Sequence, residues 1–510
     1  KGNAMSSEQT SGIKLLNDKV SPTITSIYLA ADNSTLAVTV SEAVYNTNSG
    51  SGALEASDFI FSIAGGNATL SSTTPSSIAI NGNVYTLGIG LSGTVNGGET
   101  LTINPVDNGI YDLAGNEAST SQSNNSVTLF DKVLPFINNI SLASDNSSVV
   151  VTFSEAVYNA TGGSGALDKA DFILSIAGGD ATIGSATPTS ISISSNSYTL
   201  GFSLSGTANG SELLLVSPKD DSIYDGDNNE ASTTQRNNSI YLNDITAPTV
   251  TSVSSITANG AYGIGDEVVV TTIFNEVVFV TGIPQLLLET GLTDALVNYS
   301  SGSGSNTLVF NYKVAVGDTT GDLDYLASTS LALNGGTIKD AAANVATLTL
   351  ASPAATNSLG DSKAFIIDGN APAVIAVNSN KTNGTYGLND TIPVSVSFTQ
   401  DITVLGTPQI SLETGIIDGV ASYVSGSGTK NILFNYIVGS KQNSENLDYT
   451  SNSALKLNNG ALKDASGNTT ALLLPDPTKT NSLGVNKNLI IDTNGPSVVS
   501  VTSSLEDGAY

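Results

Sequence analysis

Oxygen is the only plentiful chemical donor in this sequence. Its 510 residues hold 45 Asp and Glu against 17 Lys and Arg, with no His, no Cys and no Trp. General-base histidines, thiolate nucleophiles, disulfides and the common zinc sites are therefore out of reach. Carboxylates, hydroxyls and amides remain, which suit a hard cation such as Ca²⁺ or a two-carboxylate hydrolase. The acidic residues come in recurring sets. Asp18, Glu42 and Asp112 with Asn116 form the first, Asp131, Glu155 and Asp225 with Asn229 the second, and Asp244, Glu276 and Asp340 with Asn344 the third. A fourth set keeps Asp368, Asp464 and Asn468, but Gln400 stands where a Glu is expected and Asp401 follows it, so this site reads as weaker or rearranged. A catalytic pair should occur once, in an asymmetric setting. Recurrence suits a structural role, and no enzymatic activity is expected.

The elements that position these sets repeat with fixed offsets. Ser41-Glu42-Ala43-Val44-Tyr45 returns at 154–158, and Tyr111-Asp112 returns as Tyr224-Asp225, both 113 residues on. A different unit follows with a 124-residue offset, in which Pro284-Gln285-Leu286 becomes Pro408-Gln409-Ile410 and Leu323-Asp324-Tyr325 becomes Leu447-Asp448-Tyr449. Each unit opens with a Pro shortly after an Asp: Asp18 and Pro22, Asp131 and Pro135, Asp244 and Pro248, Asp368 and Pro372, Asp492 and Pro496. Four units result, two short (19–131, 132–244) and two long (245–368, 369–492). Residues 1–18 read as the tail of a preceding short unit, with 1–4 set aside as a cloning scar or plain chain. Residues 493–510 read as the start of a further long unit, so the chain is expected to be an excerpt from a longer array.

Within each unit apolar residues alternate, as in Leu36-Ala37-Val38-Thr39-Val40 and Leu308-Val309-Phe310-Asn311-Tyr312, the period of half-buried strands. Turn chemistry such as Asn81-Gly82, Gly97-Gly98 and Asn459-Gly460 falls between them. About seven strands per ~115 residues predicts an all-β chain, a tandem array of immunoglobulin-like β-sandwich domains forming an extended rod. On that topology the B–C and F–G loops lie beside the incoming linker. Asp18, Glu42 and Asp112 then meet at one joint, where three carboxylates would repel one another unless a cation joined them. Calcium accepts six to eight oxygens from flexible loops, which makes it the expected interdomain ion. Read singly, Asp112-Leu113-Ala114-Gly115-Asn116 is equally a turn whose Asp caps its own loop. Asp32-Asn33 and Asp145-Asn146 read as hairpin turns, Asp58 and Asp171 as caps before a strand, and Asp266 and Asp390 as turn residues near the outgoing joint.

The motifs Ser41-Glu42-Ala43-Val44-Tyr45, Ser57-Asp58-Phe59 and Asp112-Leu113-Ala114-Gly115-Asn116 resemble the tandem Ig-like, cadherin-like repeats of giant bacterial surface adhesins. So do Pro284 to Gly291 and Leu333-Asn334-Gly335-Gly336 in the long unit. The resemblance implies a secreted stalk held at the bacterial cell surface, stiffened by calcium, whose partners are its own neighbouring repeats and, through other domains, a cell-surface or glycan ligand. A glycan- or surface-binding module and an S-layer or sheath subunit stay open beside it. Net charge −28 and pI near 4.1 oppose binding to nucleic acid or an anionic membrane. No apolar run reaches the ~18 residues of a membrane span.

Overall fold

The computed structural model describes residues 17–504. Most of the tail assigned to 1–18, and the last six residues of the unit opening at 493, lie outside them. The chain folds as two compact units that divide between Ile245 and Thr246. Almost every described element is a strand; the two α-helices are single turns, Leu359–Ser362 and Leu483–Asn486, each capped by a serine hydroxyl.

In the first unit each short repeat packs two antiparallel sheets over one core. The first repeat places Ile24–Leu29, Thr35–Val40, Val84–Gly88 and Ile78–Asn81 side by side in that order. Opposite lie Phe59–Ala64, Thr100–Pro105 and Ser126–Thr128. Numbering these seven main strands along the chain gives first-second-fifth-fourth facing third-sixth-seventh, the strand order of an immunoglobulin constant-type sandwich. Alternation decides the faces: Leu36, Val38 and Val40 point inward to meet Phe59, Phe61, Tyr85, Leu87, Leu101 and Ile103. The second repeat has the same two sheets around its own core of Val149, Val151, Phe153, Phe172, Tyr198 and Leu214. Aromatic rings stand in for the missing Cys pair and Trp, with Phe153 edge-on to Tyr198 at 5.8 Å.

The long repeats of the second unit use the strands differently. Glu267–Thr281 is fifteen residues long. Its first half pairs with Val250–Ser255 and Ser305–Lys313, and Phe279–Thr281 pairs with Thr337–Lys339. The sheet continues through Ala295–Ser301 and Gln285–Leu288, so the long strand serves both sides of one core. Thr391–Leu405 does the same in the next repeat. The register shifts between Ile273 and Val278, where the strand passes from one set of partners to the next. Gly260–Gly263 pairs in parallel with Phe365–Asp368, and Gly384–Tyr386 with Leu489–Ile491.

Candidate metal centres

At the first joint a two-residue ladder does the positioning. Tyr111–Asp112 pairs antiparallel with Val44–Tyr45, setting Asp112 opposite Val44 and next to Glu42, which follows Thr35–Val40. Asp18 comes from the incoming chain, its Oδ1 accepting from the Val20 N–H at 2.9 Å. One carboxylate oxygen from each of Asp18, Glu42 and Asp112 lies within 4.8 Å of the others. Asp112 is 1% exposed and fixed at both oxygens, accepting from the Asn116 N–H at 2.7 Å and from Asn116 Nδ2 at 2.6 Å. Gly115 makes that turn at φ +81, where an added Cβ would sit 2.7 Å from the Asn48 carbonyl oxygen. Burial raises Glu42 above the ordinary carboxylate range, and repulsion from Asp112 and Asp18 adds to it.

The second joint repeats the arrangement with Asp131, Glu155 and Asp225, again within 4.8 Å. Asn229 N–H and Nδ2 donate to Asp225 at 2.8 and 2.7 Å, and Nδ2 also reaches the Asp131 carbonyl at 3.0 Å. Burial, then Asp131 and Asp225, push Glu155 up to about 7. Asp131 is raised by burial, with Asp225 and Asp227 adding repulsion despite a hydrogen bond from Val133 N–H.

Two ligands of one calcium ion, each about 2.3–2.6 Å from it, lie at most about 5 Å apart. Both trios meet that limit with hard oxygen donors from three separate segments, so the residues fit the ion. The asparagines do something else. Asn116 and Asn229, expected as oxygen ligands, turn their amide nitrogens to the buried aspartate and brace it, because that carboxylate needs donors once it leaves water.

Asp244 lies in the first unit and Glu276, Asp340 and Asn344 in the second. Within the second, Asp340 is 5% exposed and braced by Asn344 through the same two bonds, at 2.8 and 2.7 Å. The fourth set corrects the expectation: no trio involving Asp368, Asp401 and Asp464 forms among the described residues. Asp401 adjoins Gln400 within one strand, so the two side chains point to opposite faces, and Asp401 is exposed. Gln400 Nε2 instead donates to the Asn370 carbonyl at 3.0 Å. Asn468 is no free oxygen donor either. It braces Asp464, donates to the Asp368 carbonyl at 2.7 Å and accepts from the Ile264 N–H.

No family model and no curated protein matches this chain. Among solved structures it is similar to an I-band fragment from titin, at 9% identity over 71% of this chain and 99% of that one, with a TM-score of 0.25. It is also similar to the S-layer protein rSbsC, at 13% identity over 86% of this chain and 64% of that one, TM-score 0.17. A putative membrane anchored protein from Corynebacterium diphtheriae matches at 8% identity over 68% and 93%, TM-score 0.14. Likenesses this loose carry nothing about function.

Several working residues escaped the sequence reading. Glu99 is fully buried and accepts the backbone N–H groups of Asn67 and Ala68 at 2.7 and 2.8 Å and of Asn96 at 3.1 Å, and Glu212 does the same in the second repeat. Burial alone would raise both carboxyls; the N–H donors outweigh it and hold them below the ordinary range. Asp227, which stands where the first repeat has Ala114, accepts from the Asp131 N–H at 3.0 Å. Its presence in one repeat alone was the available signal. Asp32 lies in the hairpin turn expected of it, accepting from the Ser34 N–H, and Asp58 is a cap before its strand as expected, accepting from the Glu55 N–H.

Proposed function

We propose that the chain is a structural segment of an extracellular, surface-held repeat protein, in which the joints at Asp18 and Asp131 each hold a divalent cation of the calcium class. In this reading the modules run 19–131, 132–244, 245–368 and 369–492, and the main partner of each is its neighbour. The observation that carries it is the convergence of three carboxylates from three segments, twice, at equivalent positions. A turn residue needs no acidic companions on two other segments. Bound there, the ion would neutralise the trio and tie the incoming chain to the loops of the following module; empty, the joint would keep the repulsion that raises Glu42 and Glu155. An adhesin stalk and a lattice subunit both fit this reading.

The test is calcium titration of the whole chain, followed by calorimetry and small-angle scattering. Free calcium at about 100 times Kd should add about 2.7 kcal/mol per site, raising the melting temperature and narrowing the spread of conformations. Identical melting and scattering in calcium and in chelator would overturn the reading.

A further inference from the structure

Among the described residues, the short repeats each leave one sheet edge unpaired in a tract without charge. In a chain of net charge −28, residues 59–98 contain no Asp, Glu, Lys or Arg, and neither do residues 181–211 of the second repeat. Each tract supplies the last strand of the four-stranded sheet, Ile78–Asn81 and Ser190–Ser194. Such a strand offers a row of backbone N–H and C=O groups to any extended partner, and proteins usually guard it with Lys, Pro or a bulge. Neither strand carries Lys or Pro, and each runs in unbroken register with its inner neighbour. Ile80 and Ile193 are each 48% exposed. They line equivalent open grooves of about 480 and 460 Å³, together with Tyr45 and Tyr158.

We propose that these edges pair with the same edges of a second copy of this chain, joining the four-stranded sheets of two molecules side by side. The segments themselves identify the occupant, because both read the same in either direction by residue character. Ser77-Ile78-Ala79-Ile80-Asn81 and Ser190-Ile191-Ser192-Ile193-Ser194 run small or polar, Ile, small, Ile, small or polar. An antiparallel dyad through Ala79 or Ser192 therefore sets each Ile opposite an Ile of the partner, on the groove side, with backbone bonds between. Such pairing is isologous, as a two-fold requires. The absence of charge matters equally, since carboxylates facing one another across the seam of two strongly anionic chains would oppose their association. The proposal does not depend on the cation.

The chain has no Cys, so single thiols report cleanly. Ala79→Cys should oxidise to a disulfide-linked dimer at least ten-fold faster than Tyr28→Cys on the opposite edge of the same sheet. Sedimentation of the unmodified chain should show mass doubling with concentration, and hydrogen exchange at 78–81 and 190–194 should slow in parallel. Replacing both exposed isoleucines, Ile80→Lys with Ile193→Lys, should weaken the association at least ten-fold. A chain that stays monomeric at millimolar concentration, equal oxidation of the two thiols, or undiminished association of the double-Lys variant would each overturn the proposal.

Discussion

Asn468 of the fourth repeat accepts a hydrogen bond from the backbone N–H of Ile264 in the third, at 2.5 Å. Beside it Gly263 comes so close that a Cβ would lie 2.5 Å from both Asn468 Oδ1 and the Ser466 carbonyl oxygen. This joint is latched by protein groups, with Gln400 in place of the acid found at the first two joints. Asn468→Ala should loosen it and cost about 1–3 kcal/mol, and Gly263→Ala should force the loops apart. Spin-label distances between 264 and 466 should broaden in both variants, equally with calcium and with chelator.

Removing one acid from the second joint should have opposite effects in the two conditions. Glu155→Gln relieves the repulsion set by Asp131 and Asp225, so the melting temperature in chelator should rise. In calcium the variant should lose one bound ion, and with it about 2.7 kcal/mol at 100 times the wild-type Kd. Calorimetric stoichiometry checks the first loss and denaturant titration the second.

Glu99 and Glu212 should govern the acid limb of stability. Their folded pKa values lie below the unfolded ones, so the stabilisation they give is complete above the unfolded pKa and lost as pH falls through the folded pKa. Glu99→Gln should cost about 1–3 kcal/mol at neutral pH. Urea titrations between pH 7 and pH 2 should show that deficit shrinking once the wild-type carboxyl protonates.

Asn33 clasps the end of its own repeat, donating to the Phe130 carbonyl at 2.7 Å and accepting from the Phe130 N–H at 3.0 Å, from a backbone at φ +58. Asn33→Gly keeps the backbone and loses the clasp, for about 1–3 kcal/mol. Asn33→Ala adds about 1–2 kcal/mol for the left-handed conformation. Equal losses in the two variants would show that the backbone conformation contributes nothing.

Much of this was legible in one dimension. The 113-residue offset and the alternation around Leu36 and Val38 identified strands and repeats, and the placing of Glu42 and Asp112 beside Asp18 followed from strand order. What stayed hidden depended on facing and burial. Glu99 sits in Asn96-Gly97-Gly98-Glu99, which reads as a solvated turn, yet the folded chain wraps N–H groups around it. Asn116 reads as an oxygen ligand, but only the fold shows which end of the amide meets Asp112. Asp401 was a nearby acid with the wrong parity, a neighbour in sequence aimed at the other face.

The parallel ladders of the long repeats have a mechanical consequence. Gly260–Gly263 lies near the start of its repeat and Phe365–Asp368 at its end, and four residue pairs join them in parallel register. Tension applied through the two termini drags those strands lengthwise past each other, so the bonds are loaded together instead of opening one by one. No parallel strand pair links the ends of the short repeats among the described residues. Under a steady pull in single-molecule stretching, the long repeats should yield last.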